Sequence, residues 1–355
     1  MIKASIPWPK KTTPIGLDIG SRSLKLVQLC TEHRRVIESS RWDWNGADDW
    51  FDADSSDPNS TNDAFVLALK NALTGRNFEG RNVVTSISGN HFFLQNIRVP
   101  KGGKAQLEAA VHREAASRIP FPVEESEIRF WDCAEVRQGD TSMREIIVFA
   151  CHRPDIMCIA QSIVAAGLNP IVVDVEPAAL IRSYAAQNRR DDERGLRVML
   201  LHFGYGVTSV IIAENEDALF VKYLDVGGRQ IDEAIAEQLQ LGVVEANALR
   251  KRKQLDQHIA KTLQDAGRPV IEKLLSELSM CIRYHSVTFR GRPISKLIIS
   301  GGEVSTDVAE TLEQRLGLST KLSNPFRRTE NAPVVDTPSQ WEVAVGLARR
   351  QVVAS

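Results

Sequence analysis

The sequence predicts an α/β protein of two lobes, and three observations carry that prediction. Strand-like and helix-like periodicities alternate along the 355 residues. A strand–turn–strand unit, Pro14-Ile15-Gly16-Leu17-Asp18-Ile19-Gly20-Ser21-Arg22-Ser23-Leu24-Lys25-Leu26-Val27, recurs in plan as Met199-Leu200-Leu201-His202-Phe203-Gly204-Tyr205-Gly206-Val207-Thr208-Ser209-Val210-Ile211-Ile212. A charged connector, residues 188–195, separates the two halves. Each turn is able to aim backbone N–H groups and hydroxyls inward, and glycine lets the main chain approach a phosphate closely. Two such hairpins far apart in sequence imply lobes that close on one nucleotide. One position differs: Asp18 precedes the first glycine, and His202 stands in its place in the second hairpin.

The elements follow in order. Residues 14–40 read as strand, turn, strand and a further strand around Val36. Trp42 and Trp44 open a stretch rich in Asp, Ser and Asn through Asp63, a loop by composition that we expect to tolerate shortening. A helix spans Asp63 to Leu73 with Phe65, Leu69 and Ala72 on one stripe. Val83 to Ser88 and Phe92 to Val99 alternate as two strands joined by a turn at Gly89-Asn90. Lys104 to Ile119 is an amphipathic helix whose buried side is Leu107, Ala110, Val111, Ala115 and Ile119; Pro120 and Pro122 end it. Strands cover Glu127 to Val136 and Arg144 to His152, and a helix covers Pro154 to Ala166. Ile171 to Val175 is a strand, and Glu176 to Gln187 is a helix with Pro177 in its first turn. Beyond the connector and the second hairpin, Phe220 to Val226 is a strand running into Gly227-Gly228. The next helix carries Ile231, Ala234, Ile235 and Leu239. A long helix spans Val270 to Phe289, a short strand Lys296 to Ile299, and helices Val308 to Leu316 and Gln340 to Val352 close the chain.

Composition narrows the function. An apolar fraction of 43% and a charged fraction of 25% are those of an ordinary globular protein. A net charge of −1 argues against a nucleic-acid binder that relies on bulk positive field. The run Arg250-Lys251-Arg252-Lys253 reads as a solvated helix face. Five scattered cysteines without a CxxC pair fit a reducing compartment. Pro9, Lys10 and Lys11 are not followed by the apolar stretch of a signal peptide, and no apolar run is long enough to span a bilayer. The expectation is a cytoplasmic protein that reaches any membrane through a partner.

Candidate chemistry sits on the turns. The hydroxyls of Ser21 and Ser23 and the intervening N–H groups would surround a phosphate, with Lys25 as a point charge on the same oxygens. Asp18 would hold Mg²⁺ through its waters. Paired glycines at Gly301-Gly302, after a buried strand, let an adenine lie against the main chain, and Gly227-Gly228 is similar. Either pair alone also reads as a turn. His112 and His285 have no second ligand at helical spacing and read as surface or core residues. Cys151-His152 reads as a strand end rather than a nucleophile.

From residue 14 to 350 the chain resembles the PilM-type proteins of type IV pilus assembly, FtsA-related members of the actin-like ATPase superfamily. The resemblance is carried by the first hairpin, by Leu107-Glu108-Ala109-Ala110-Val111-His112-Arg113-Glu114-Ala115 leading to Ile119-Pro120-Phe121-Pro122, by Ala166-Gly167-Leu168-Asn169-Pro170 continuing through Val173-Asp174-Val175-Glu176, and by Ile298-Ile299-Ser300-Gly301-Gly302. It implies a two-lobed, ribonuclease H-like fold with an FtsA/PilM-type inserted subdomain of the SHS2 kind. Residues 14–90 and 171–195 would form the first lobe and 91–170 the insertion. Residues 196–226 and 291–352 would form the second-lobe core, and 227–290 its helical outer part. It implies ATP or ADP with Mg between the lobes. Asp18, Gly20, Ser21, Ser23 and Lys25 match the first phosphate loop, with Asp18 on the metal. Gly204, Gly206, Thr208 and Ser209 match the second, and Gly227, Gly228, Gly301 and Gly302 the nucleoside side. Glu176 matches the acid near the attacking water.

The resemblance also implies a partner, the cytoplasmic N-terminal segment of a PilN-like inner-membrane protein held in a groove that involves the insertion. Pro120-Phe121-Pro122 is a candidate wall. The chain would then be a scaffold attached peripherally to the inner membrane, without contact to nucleic acid and without inserting itself; self-association is left open. Three departures from the family pattern bear on the nucleotide. His202 replaces a carboxylate and is a poor Mg²⁺ ligand. Asn247 and Arg250 replace the Glu and Lys of an adenosine-contacting helix, and Tyr205 occupies the second hairpin tip. Little or no hydrolysis is expected. The alternatives are an active ATPase of the sugar-kinase type, which needs a substrate cleft and an acidic base opposite the γ-phosphate and against which the inserted-subdomain pattern argues; an FtsA-like filament protein, whose membrane-binding terminal helix is replaced here by one that reads as core; and the cytoplasmic part of the type II secretion protein GspL.

Overall fold

The computed structural model describes residues 12–44, 61–87, 89–187, 195–252, 254–289 and 292–351. Most of the loop expected over 44–62, with Trp50 and Phe51, and most of the 188–195 connector lie outside the described residues, as do Pro9, Lys10, Lys11 and Lys253. The chain divides into two units. Unit 1 is Met1–Ile87, Ile156–Gln187 and Asn324–Ser355; unit 2 is Ser88–Asp155 and Asn188–Ser323.

Unit 1 is built on a five-stranded sheet. The first hairpin forms as expected from β1 (Ile15–Ile19) and β2 (Ser23–Leu29), and β3 (Val36–Asp43) continues the antiparallel run. β4 (Asn82–Ile87) and β8 (Asn169–Val175) add in parallel on the other side of β1, giving the order β3-β2-β1-β4-β8. α1 (Asp63–Leu73) begins at Asn62, whose side chain accepts from the N–H of Phe65, and it buries the expected Phe65, Leu69 and Ala72. α4 (Glu176–Gln187) follows β8 directly.

The chain end belongs to this unit and not to the second lobe. α9 (Glu342–Ala348) is buried throughout and packs on α4 and β1. Gly346 permits that approach, because a Cβ there would lie 1.9 Å from the carbonyl oxygen of Ala179. The expected helix through Val352 therefore stops at Ala348, preceded by a 3-10 turn over Pro338–Trp341. Residues from Asn324 leave the expected second-lobe core for unit 1, where Trp341, Ala344, Val345 and Ala348 pack with Val27 and Leu29 in one apolar cluster.

Unit 2 repeats the sheet. β9 (Arg197–Phe203), β10 (Thr208–Glu214) and β11 (Asp217–Leu224) are antiparallel, and β12 (Ile294–Ser300) and β13 (Thr320–Leu322) add in parallel, in the order β11-β10-β9-β12-β13. Three antiparallel strands followed by two parallel ones, twice in one chain, is the duplicated ribonuclease H-like plan. Helices α5 (Gly228–Leu239), α6 (Val243–Arg250), α7 (Gln257–Thr288) and α8 (Thr306–Leu316) complete the unit. Met199, Leu201, Phe203, Ile235, Leu274 and Leu278 are among the side chains of its core. The helix expected to start at Val270 starts at Gln257, capped by the Asp256 side chain, and runs through Pro269. Proline reads as a helix boundary in sequence, yet its exposed position lets the freed carbonyl of the preceding turn face water.

The three strands of the insertion belong to unit 2, whereas residues 156–170, expected within the insertion, belong to unit 1. β5 (Phe93–Pro100), β6 (Ser126–Gln138) and β7 (Thr141–His152) form an antiparallel sheet in the order β5-β7-β6, covered by α2 (Lys104–Ala116) through Leu107, Val111 and Ala115. α3 (Arg153–Ala165) follows β7, and Gly167 ends it at φ +88°. The strands expected at Val83–Ser88 and Phe92–Val99 both exist, but they do not pair: β4 joins the first sheet and β5 the inserted one. Among the described residues no helix is long and apolar enough to cross a membrane.

Candidate functional site

The two hairpins are equivalent in detail. Gly20 donates its N–H to the Ser23 carbonyl at 3.1 Å, and Gly204 donates to Val207 at 3.2 Å. Opposite strands then place Asp18 beside Lys25 and His202 beside Ser209. In unit 1 the Lys25 Nζ, expected on a phosphate, donates to Asp18 Oδ2 at 3.1 Å, and both side chains are buried. The acid proposed for a hydrated metal is thus neutralised by the lysine of the same hairpin. Trp44 Nε1 donates to the Gly20 carbonyl at 3.1 Å, so both main-chain polar groups of that glycine are engaged. Ser23 is buried, Ser21 is half-buried, and Glu176 stands at the start of α4.

In unit 2, His202 Nδ1 lies 3.0 Å from Ser300 Oγ. The Ser300 hydroxyl donates to the Leu201 carbonyl at 3.3 Å, which assigns the imidazole proton to Nδ1. The Thr208 hydroxyl donates to the Val226 carbonyl at 2.6 Å, and Thr208 and Ser209 are fully buried. Tyr205, at the second hairpin tip, is buried. The N–H groups of Gly228 and Arg229, at the start of α5, donate to the carbonyls of Gly204 (3.1 Å) and Tyr205 (2.9 Å). The hairpin turn therefore satisfies amides that a helix start otherwise offers to an anion. Gly301 has φ +111°, and a Cβ there would lie 2.2 Å from the Phe203 carbonyl, so chain crossing accounts for this glycine by itself. Gly206 lies half-buried in the hairpin turn, and a Cβ on Gly302 would meet nothing within 4 Å.

An ion network lies beside the glycines expected on the nucleoside side. Arg250 donates from Nε to Asp232 Oδ1 (2.6 Å) and from Nη1 to Glu303 Oε2 (2.7 Å). Asn247 Nδ2 donates to Asp232 Oδ2 at 2.6 Å, and Lys251 Nζ to Glu303 Oε2 at 2.9 Å. Burial alone would lower the Arg250 pKa; the charges of Glu303 and Asp232 outweigh it and raise it. Arg250 is therefore not part of a solvated basic face, because α6 turns it onto two buried acids, while Lys251, at the helix end, stays exposed and reaches Glu303 alone. Sequence reasoning missed Glu303 and Asp232. The available signal was an acid directly after Gly301-Gly302 and another beside the apolar Ile231.

A second candidate site lies on the insertion side of unit 2. A cavity of about 770 Å³ is lined by Phe93, Leu94, Gln95 and Asn96 of β5 and by Phe220, Val221, Lys222 and Tyr223 of β11. Both strands end their sheets, so the cavity runs between two strand edges. Pro120 and Phe121, two of the three residues of the expected docking wall, also line it, together with Phe92, Asp155 and Tyr284. Asn96 bridges the edges by donating from Nδ2 to the Val221 carbonyl at 2.8 Å, while its buried Oδ1 has no hydrogen-bond partner. Phe92 meets Tyr223 edge-on at 5.4 Å between centroids, and Phe121 lies 5.6 Å from the His152 ring. Behind the cavity the buried Glu145 accepts from Arg98 Nε at 2.8 Å and from the Tyr284 hydroxyl, fastening the insertion to α7.

The remaining polar candidates are structural. His112 is exposed and His285 is buried in the core. Burial pushes the Cys151 thiol up to about 12, so it is inert at neutral pH. Among the described residues no group of three or more His, Cys, Asp or Glu is placed to hold a metal ion.

A family model described as "Type IV pilus assembly protein PilM" matches residues 16–352. Among solved structures, the PilM-PilN type IV pilus biogenesis complex is similar at TM-score 0.77 and 24% identity, covering 96% of this chain and 98% of that one. The ethanolamine utilization protein EutJ from Carboxydothermus hydrogenoformans is similar at TM-score 0.58 and 15% identity, covering 97% of this chain and 91% of that one. Together with the duplicated sheet order, these likenesses give the fold as the actin-like ATPase fold with an inserted subdomain.

Proposed function

The chain belongs to the PilM family of type IV pilus assembly proteins, and from that premise we propose that it is a cytoplasmic scaffold of a pilus or related secretion machine. It docks the cytoplasmic N-terminal segment of a PilN-like inner-membrane protein, and that partner holds it at the inner membrane. One observation carries the reading: the cavity between the β5 and β11 edges. An extended peptide recognises a sheet edge through its main chain and places alternate side chains in pockets. Here β5 and β11 supply strand edges, and Phe92, Phe121 and Tyr223 supply apolar walls.

Hydrolysis is weak or absent in this reading. Lys25 already neutralises Asp18, and His202 replaces a carboxylate and is held by Ser300. Steady-state turnover that Asp18→Ala abolishes would contradict this part.

A synthetic peptide copying the cytoplasmic segment of the cognate PilN-like protein, titrated calorimetrically into the full chain, is expected to bind with a dissociation constant of about a micromolar or tighter. Phe121→Ala is expected to weaken binding about tenfold, the ordinary effect of truncating an interface anchor. No binding, or equal binding to the folded variant, would remove this cavity as the docking site.

A further inference from the structure

We infer that Glu303 is the built-in occupant of the nucleoside half-site in unit 2, so that the free chain holds an adenine nucleotide only when Glu303 is displaced. The two glycine pairs, Gly227-Gly228 and Gly301-Gly302, are where a missing side chain would let a flat base lie on the main chain. At Gly228 that space is taken. A Cβ built there would lie 2.4 Å from Glu303 Cδ and 2.7 Å from both Cγ and Oε2. The side chain that directly follows the second glycine pair therefore lies across the first pair. Its main chain is fixed as well, by the Glu303 N–H donating to the Phe203 carbonyl at 3.1 Å.

The carboxylate is held rather than merely resting there. Arg250 Nη1 and Lys251 Nζ reach the same Oε2 at 2.7 and 2.9 Å, and Lys251 Nζ also donates to the Gly302 carbonyl at 3.1 Å. Glu303 is 9% exposed, and Asp232, on the far side of Arg250, is fully buried. A neutral base entering this space must remove a buried carboxylate from two cations and offers no negative charge in return. Removing one partner from a buried charge cluster leaves the other desolvated and unpaired, which is far costlier than losing an exposed pair. The glycines that imply a nucleotide in the sequence are thus retained for chain crossing, as at Gly301, and for seating Glu303.

The test is calorimetric titration of the full chain with ATP and with ADP in the presence of Mg²⁺. The wild-type chain is expected to show no saturable binding up to about 1 mM, and Glu303→Ser to gain at least about tenfold in affinity. Wild-type saturation in the low micromolar range, or a folded Glu303→Ser chain with no gain, overturns the inference. If Glu303→Ser does not fold, Glu303→Asp decides. It keeps the charge beside Arg250 and Lys251 but draws the carboxylate back by one methylene from Gly228, so it is expected to gain measurable nucleotide binding, and no gain overturns the inference. The peptide titration above reads out residues of the cavity, none of which is Gly228, Arg250, Lys251 or Glu303, so either result leaves the docking proposal to be judged on its own.

Discussion

His285 sits 2% exposed on α7, with Nε2 3.3 Å from Arg197 Nη1 and its ring stacked on Phe289. Arg197 is itself paired with Glu214 at 3.0 Å. Burial first, and the Arg197 charge second, push the imidazole down to about 4. The folded state therefore prefers the neutral ring. Stability from this group is complete above the ordinary histidine value near 6.5 and declines as pH falls from there toward 4. Melting temperature is expected to drop across that window, and His285→Gln is expected to flatten the drop. An unchanged slope in the variant would contradict the assignment. The sequence left this histidine between surface and core, because a lone His on a helix carries no mark of the arginine that reaches it from β9. Glu303 is the same case. Its neighbours Gly301 and Gly302 were legible as close-approach positions, but the two cations that hold it lie on a helix about fifty residues earlier in the chain.

Elements set by local chemistry were legible nearly to the residue. α1 begins and ends where the Asn62 cap and the apolar stripe place it, and both hairpins close on the glycine turns that announced them. The errors came where a local signal was overridden. The sequence pattern began this helix at Val270, yet α7 is 32 residues long and passes through Pro269, because Leu263 and Ala266 before the proline and Leu274, Leu275 and Leu278 after it bury on one core. Pro269→Ala restores the missing main-chain donor for Asp265, offset in part by a freer unfolded chain. We expect a net gain of about 1 to 2 kcal/mol in a denaturant melt. A loss would show that the proline fits a bend the helix needs. Strand identity was equally clear for β4 and β5, but partnership was not. An alternating pattern states that one face is buried and is silent about which sheet buries it.

The whole molecule is assembled from discontinuous segments, three in unit 1 and two in unit 2. The last of them matters most to unit 1, since α9 fills the face formed by β1, β2 and α4. Gly346→Val would drive a side chain into the Ala179 carbonyl. It is expected to destabilise by about 3 kcal/mol or more and to expose unit 1 to proteolysis before unit 2. Equal resistance of both units would contradict it. The sequence by itself determined the two-lobed α/β plan, the paired hairpins, most helix boundaries and the resemblance to the pilus-assembly family. Each of these rests on periodicity or turn chemistry within a few residues, where sequence and geometry are directly coupled. Tertiary structure alone decided that the C-terminal helix completes the first unit, that the edges of β5 and β11 border one cavity, and that Arg250 and Lys251 close on Glu303. Those outcomes depend on which distant segments bury one another's apolar faces and charges. That choice is made by the free energy of the whole packed unit, and no local window of sequence records it.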